Sequence, residues 1–206
     1  MMRSLMQRLN DRRTSDLEGE EVDAGFTLIE LMVVLLIMAI LLAIAIPTFL
    51  GVKGGAQDRA AQSDLNTALT NAKALYGNDQ SYGSLASAVS SMTASEASLT
   101  FTATGIGTLN GVSGAPGTIG LDVASDGNGI IMYDQSQSGV CWAILTNEID
   151  YSAPGVTAPT GSAWTTWPVL TAGTYYASWT SNSNGKCAPD TAGNVKWQQN
   201  SFPNAA

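Results

Sequence analysis

Residues 31–46 read LMVVLLIMAILLAIAI, with no polar side chain among them. Between Phe26 and Leu50 only Thr27, Glu30, Pro47 and Thr48 interrupt the apolar character. At a rise of 1.5 Å per residue this stretch reaches about 37 Å, against a bilayer hydrocarbon core of about 30 Å. A core helix of a soluble domain carries a polar stripe, and this run has none, so it requires a membrane or an equally dry protein environment.

Flanking charge gives the run a direction. Arg3, Arg8, Arg12 and Arg13 precede it, while Lys53 and Arg59 follow. The bias predicts a single-pass chain with its N-terminus in the cytoplasm and its bulk outside. Three readings fit such a segment. A cleaved secretory signal would use Ala43-Ile44-Ala45 as its A-x-A site, but must accommodate a long polar lead-in, Glu30 and the nearby Pro47. An ordinary anchor gives no reason for a carboxylate near its cytoplasmic end. The third reading comes from a motif.

Gly25-Phe26-Thr27-Leu28-Ile29-Glu30-Leu31, followed by the apolar run and Pro47, resembles the N-terminal processing region of type IV prepilins and the related pseudopilins. The resemblance covers roughly residues 25–55. It implies cleavage by a prepilin peptidase between Gly25 and Phe26, N-methylation of Phe26, and assembly through Phe26, Glu30 and Pro47. It also implies an α+β fold, in which a long N-terminal helix packs on a small antiparallel sheet. Residues 1–25 would be a leader, 26–50 the membrane and assembly helix, 51–80 its amphipathic continuation and 81–206 a β-rich head. The partners implied are further copies of the chain, the peptidase, an assembly platform and motor, and the cytoplasmic membrane before export into an extracellular filament.

Charge chemistry makes Glu30 the informative residue of the motif. A carboxylate within the membrane region costs about 2.5–3.5 kcal/mol on insertion scales and is rare without a partner. Cleavage after Gly25 would create one, the amine of Phe26. Opposite charges in a dry environment attract strongly enough to set the register between otherwise featureless apolar helices. Pro47 removes a helical hydrogen bond, and Gly51, Gly54 and Gly55 follow it, so a kink or local opening is expected at the proline; the resemblance implies loss of helicity over residues 39–47 when the subunit is packed in a filament.

Behind the apolar run, residues 53–76 form an amphipathic pattern. Ala61, Leu65, Leu69, Ala72 and Leu75 or Tyr76 recur at helical spacing, and Gly77-Asn78-Asp79 marks a stop. Strands are expected at residues 99–103, 118–123, 130–134, 140–145 and 174–180, with a turn at Asp126-Gly127-Asn128-Gly129. The Ser/Thr/Ala/Gly-rich residues 84–98 and 104–118 read as exposed loops. Trp142, Trp164, Trp167, Trp179 and Trp197, with Tyr151, Tyr175 and Tyr176, are expected to supply the head's core.

Composition narrows the function further. The net charge is −8; four arginines and six acids precede Gly25, so the trimmed chain would carry −6. The few cations are scattered, which disfavours nucleic acid as a partner. There is no histidine, which removes the usual triad base and most transition-metal sites. Ser183-Asn184-Gly185-Lys186 spells Ser-x-x-Lys, but its partner motifs are missing and its Asn-Gly reads as a turn. Asp122, Asp126, Asn128 and Asp134 lack the EF-hand ligand order and read as turn chemistry, so no metal or cofactor is expected. Cys141 and Cys187 match no metal spacing. In an exported domain they would form a disulfide, in a cytoplasmic one two separate buried thiols.

Overall fold

A computed structural model describes residues 25–103, 117–159, 169–180, 187 and 195–203. Apolar run and amphipathic stretch are both helical, as α1 (Leu28–Asp79). The chain divides into two compact units, residues 1–48 and 49–206. In the first, every described residue is exposed, including the whole apolar run. The helix is long and apolar enough to cross a membrane.

The second unit is built on the remainder of α1. Ala61, Leu65, Ala68 and Ala72 are buried at the 4, 3, 4 spacing of one helical face. Ala68 takes the place expected of Leu69, which is only half-buried. The smaller side chain lets the helix lie closer to the sheet. The helix also runs through Gly77 and Asn78, and Gln80 supplies the left-handed residue that ends it, with φ 51°.

Residues 84–95 correct the loop expectation. They form the N-cap and body of a second helix, α2 (Leu85–Ser95). Ser84 caps it by accepting the Ser87 amide at 3.2 Å. Leu85, Ala88, Val89 and Met92 line one face, with Ala88 and Met92 buried. The serines and threonines that suggested a loop occupy its other faces; Thr93 and Ser95 bond back to the carbonyls of Val89 and Ser91.

Six strands follow: β1 (Thr100–Thr102), β2 (Thr118–Val123), β3 (Gly129–Gln135), β4 (Val140–Asn147), β5 (Gly173–Thr180) and β6 (Gln198–Gln199). They form one sheet in chain order. All neighbours are antiparallel except β1 and β2, which pair in parallel with Phe101 opposite Ile119. The sheet is therefore mostly, not wholly, antiparallel.

Alternation along the strands separates two cores. Ile119, Leu121, Val123, Ile130, Met132, Trp142 and Ile144 pack with α1 and α2. Ile131, Tyr133, Cys141, Ala143, Leu145 and Tyr175 build the core of the opposite face with Tyr151 and Cys187. Trp142 meets Phe202 edge-on at 5.6 Å, and Trp179 and Trp197 pack against the second core. These aromatics are packing residues; Trp164 and Trp167 lie outside the described residues, as do residues 1–24, residues 104–116 of the loop expected at 104–118 and Ser183 to Lys186.

Candidate assembly site

The N-terminal motif sits where helix begins. Gly25, Phe26 and Thr27 precede α1, and Phe26 is 80% exposed. Thr27 caps the helix: its Oγ1 accepts the Glu30 amide at 3.3 Å and its carbonyl accepts the Leu31 amide at 3.2 Å. Thr27-x-x-Glu30 thus has the spacing of a capping box, a local signal that the sequence reading overlooked. Glu30 stands in the first turn, where the unpaired amides of the helix end favour negative charge. Its side chain is exposed there, open to an arriving amine.

Pro47 lies inside α1. The residues around it, 39–47, are helical in the single chain. Proline cannot donate to the carbonyl of Ala43. One residue on, the Thr48 hydroxyl donates to the Ile44 carbonyl at 2.9 Å and supports the turn the proline weakens.

Cys141, on central strand β4, and Cys187 lie at disulfide distance, with Cα atoms 5.5 Å apart. Both are fully buried.

The four residues considered for calcium do not converge on one point. Asp126 accepts the Asn128 amide at 3.1 Å, as an Asx turn requires, and the Tyr151 hydroxyl at 3.0 Å. Tyr76 donates to Asn128 Oδ1 at 3.1 Å. Asp122 accepts the Val123 amide at 2.9 Å. Asp134, on β3, points with Ile130 and Met132 toward α1.

Asp134 opens onto a pocket that no sequence signal announces. Its 330 Å³ lie between α1 and the β3–β4 connection. Ala56, Ala60 and Ala61 form apolar wall; Asp64 and Asp134 supply carboxylates. Asp134 is 2% exposed, and its Oδ1 has no hydrogen-bond partner. Burial, and the Asp64 charge second, push its pKa up to about 7; the Gln135 amide opposes them. Asp64, which the helical pattern places on a polar face, is raised in the same direction by its own burial, against an opposing hydrogen bond from Gly117. The pocket mouth is braced by two bonds between helix and connection. Ser138 donates to Asp58 at 2.5 Å, and Gln57 to Gln137 at 2.8 Å. Seventy residues separate the two acids in sequence, which is why only the fold reveals them.

Residues 22–46 match the family model of the prokaryotic N-terminal methylation motif. No curated protein and no solved structure matches the chain significantly. The matched segment contains Gly25, Phe26 and Glu30 and most of the apolar run, the features described above from their geometry. Proteins carrying this motif are structural subunits, and an apolar helix directly behind it fits a membrane-anchored precursor. The chain carries the type IV prepilin-like signal, and that signal supports a type IV pilin or pseudopilin-like protein.

Proposed function

We propose that this chain is a structural subunit of a type IV pilus. Residues 1–25 are the leader, and prepilin peptidase cuts between Gly25 and Phe26 and methylates the new terminus. Residues 26–50 hold the precursor in the cytoplasmic membrane and then pack against the same segment of other copies. Residues 51–80 continue that helix and 81–206 form the head presented on the filament. The Phe26 amine of each incoming copy pairs with Glu30 of the copy already in place, and Pro47 permits local unwinding during packing. An assembly platform and motor drive the step, and the filament serves adhesion, motility or DNA uptake.

The observation that carries this reading is the methylation motif joined to an apolar run in which every described residue is exposed. Apolar area left in water is costly, at roughly 25 cal/mol per Å², so this surface needs either lipid or its own kind.

Intact-mass analysis of sheared surface filaments tests it. The expected chain begins at methylated Phe26. A chain that retains residues 1–25, or one that starts after Ala45, overturns the proposal. Because pseudopilins of type II secretion or competence systems share the motif, electron microscopy supplies the second measurement. Long surface filaments containing this chain indicate a pilus; short envelope-confined assemblies indicate a pseudopilus.

A further inference from the structure

Gly25, Phe26 and Thr27 are exposed and non-helical, and α1 starts immediately after them, at Leu28. Thr27 fixes that start. Its Oγ1 accepts the Glu30 amide at 3.3 Å and its carbonyl accepts the Leu31 amide at 3.2 Å. A capping residue gives its carbonyl to the first helical bond while its own backbone stays outside the helix. The bond between Gly25 and Phe26 therefore lies just ahead of the helical ladder. The match to the methylation motif spans this junction.

The role of Thr27 rests on the reading under Proposed function, in which the peptidase cuts the Gly25–Phe26 bond. Hydrolysis adds one water across it and leaves a carboxylate on Gly25 and an amine on Phe26. A peptidase must take the backbone on both sides of that bond into its own groove. A bond held inside a helix becomes available only after local unwinding. One that precedes a capped helix needs none.

The sequence ahead of the motif makes the position of the cap consequential. The nearest earlier residue of capping type is Asp23. A helix capped there would take in Ala24, Gly25 and Phe26. The Gly25 carbonyl, the group that hydrolysis attacks, would then be bonded to the Ile29 amide four residues on. Gly25 resists such an extension as a poor helix former, but a single glycine does not forbid it. A start at Thr27 leaves the bond free, and a start at Asp23 encloses it.

We propose that Thr27 is a positioning residue for processing: by capping α1 it keeps the Gly25–Phe26 bond out of the helix and open to the peptidase.

The test uses the full-length precursor in detergent with a purified prepilin peptidase, and intact mass follows the cut product over time. Thr27→Val keeps the branched shape and removes the oxygen. It is expected to raise KM at least about threefold with kcat nearly unchanged, because a substrate that is open for only part of the time binds more weakly by that fraction. Thr27→Ser and Thr27→Asn keep a capping oxygen and are expected to stay within about twofold of the wild type. Adding Asp23→Ala to Thr27→Val removes the competing cap and is expected to restore most of the loss. Asp23→Ala alone is expected to be cut like the wild type.

An unchanged KM for Thr27→Val overturns the capping role and leaves the cut at Gly25 standing. A defect that falls in kcat, that Thr27→Ser and Thr27→Asn share, or that persists in the double variant with Asp23→Ala overturns it as well. Such a defect would come from direct contact between residue 27 and the peptidase. A wild-type precursor that is not cut after Gly25 removes the reading on which the role of Thr27 rests.

Discussion

The hydroxyl of Tyr82, 1% exposed, donates a 2.6 Å hydrogen bond to the carboxylate of Glu148. This bond ties the segment that leaves α1 to the end of β4. A backbone bond adds a second tie, to the β2–β3 turn, since the Tyr82 amide donates to the Gly127 carbonyl at 2.8 Å. Burial, and then the hydrogen bond to Glu148, raise the phenol's pKa well above its ordinary value, so the proton stays on the tyrosine. Tyr82→Phe keeps the ring and loses a charge-assisted bond. It is expected to destabilise the head by about 1.5–3 kcal/mol, measured by denaturant unfolding of the full chain in detergent. A loss below about 0.5 kcal/mol would show the bond to be incidental.

Asp134 gives stability a pH dependence of defined sign. Its folded pKa, about 7, lies above the ordinary value of 3.8. Between those values the folded chain keeps a proton that the unfolded chain releases, so this contribution is full below about pH 4 and is lost as pH rises to 7. The charged groups around it are Asp64, which adds to the effect, and Lys53 at the rim. Asp134→Asn is expected to stabilise the subunit by about 1–3 kcal/mol at pH 8 and little at pH 4. Unfolding midpoints at the two pH values would be compared; an unchanged slope refutes the assignment.

Gly120 faces Tyr133 across β2 and β3, and a Cβ on Gly120 would fall 2.0 Å from the tyrosine ring. The ring lies over the bare backbone in a buried position. Gly120→Ala is therefore expected to cost at least about 2 kcal/mol, and Gly120→Ala with Tyr133→Val to recover part of that. If the double variant were no more stable than Gly120→Ala alone, the clash would not be the cause.

Cys141 and Cys187 close a loop of 46 residues in sequence separation. In the chain-entropy account such a crosslink is worth about 4 kcal/mol. Reduction under native conditions, or Cys141→Ser with Cys187→Ser, is expected to lower the unfolding free energy by about that amount. Equal stability with and without reductant, with free thiols verified by mass, counts against a structural disulfide.

Glu30→Ala separates capping from assembly. The glutamate is exposed at a frayable helix end, so its loss is expected to change helix stability by about 0.5 kcal/mol. Filament yield is expected to fall about tenfold or more, with cleavage after Gly25 intact by mass. Abundant normal filaments from this variant contradict a register-setting role.

Much of this molecule is legible from local pattern. The apolar run declares itself without neighbours, and the strand pattern in β2 to β5 places those strands within two residues at each end. The Asp-Gly-Asn-Gly turn is also legible locally, since the Asp126–Asn128 bonds that shape it span two positions. α2 escapes because only four apolar residues carry it, and its serines and threonines look the same in a loop. Ala68 is chosen over Leu69 by the closeness of the sheet, which no helical wheel contains. The parallel pairing of β1, the Tyr82–Glu148 bond and the Asp64–Asp134 pocket join residues far apart in the chain. They become visible only when α1 is laid across β3.

The short outer strands have a consequence for how such subunits associate. β1 has three residues and β6 two, so neither outer strand offers a long run of free backbone groups to an added strand. A strand added to either of these two finds little to hold. In the proposed filament, growth falls to the greasy shaft, and heads crowded side by side can remain separate bodies instead of fusing into a continuous ribbon.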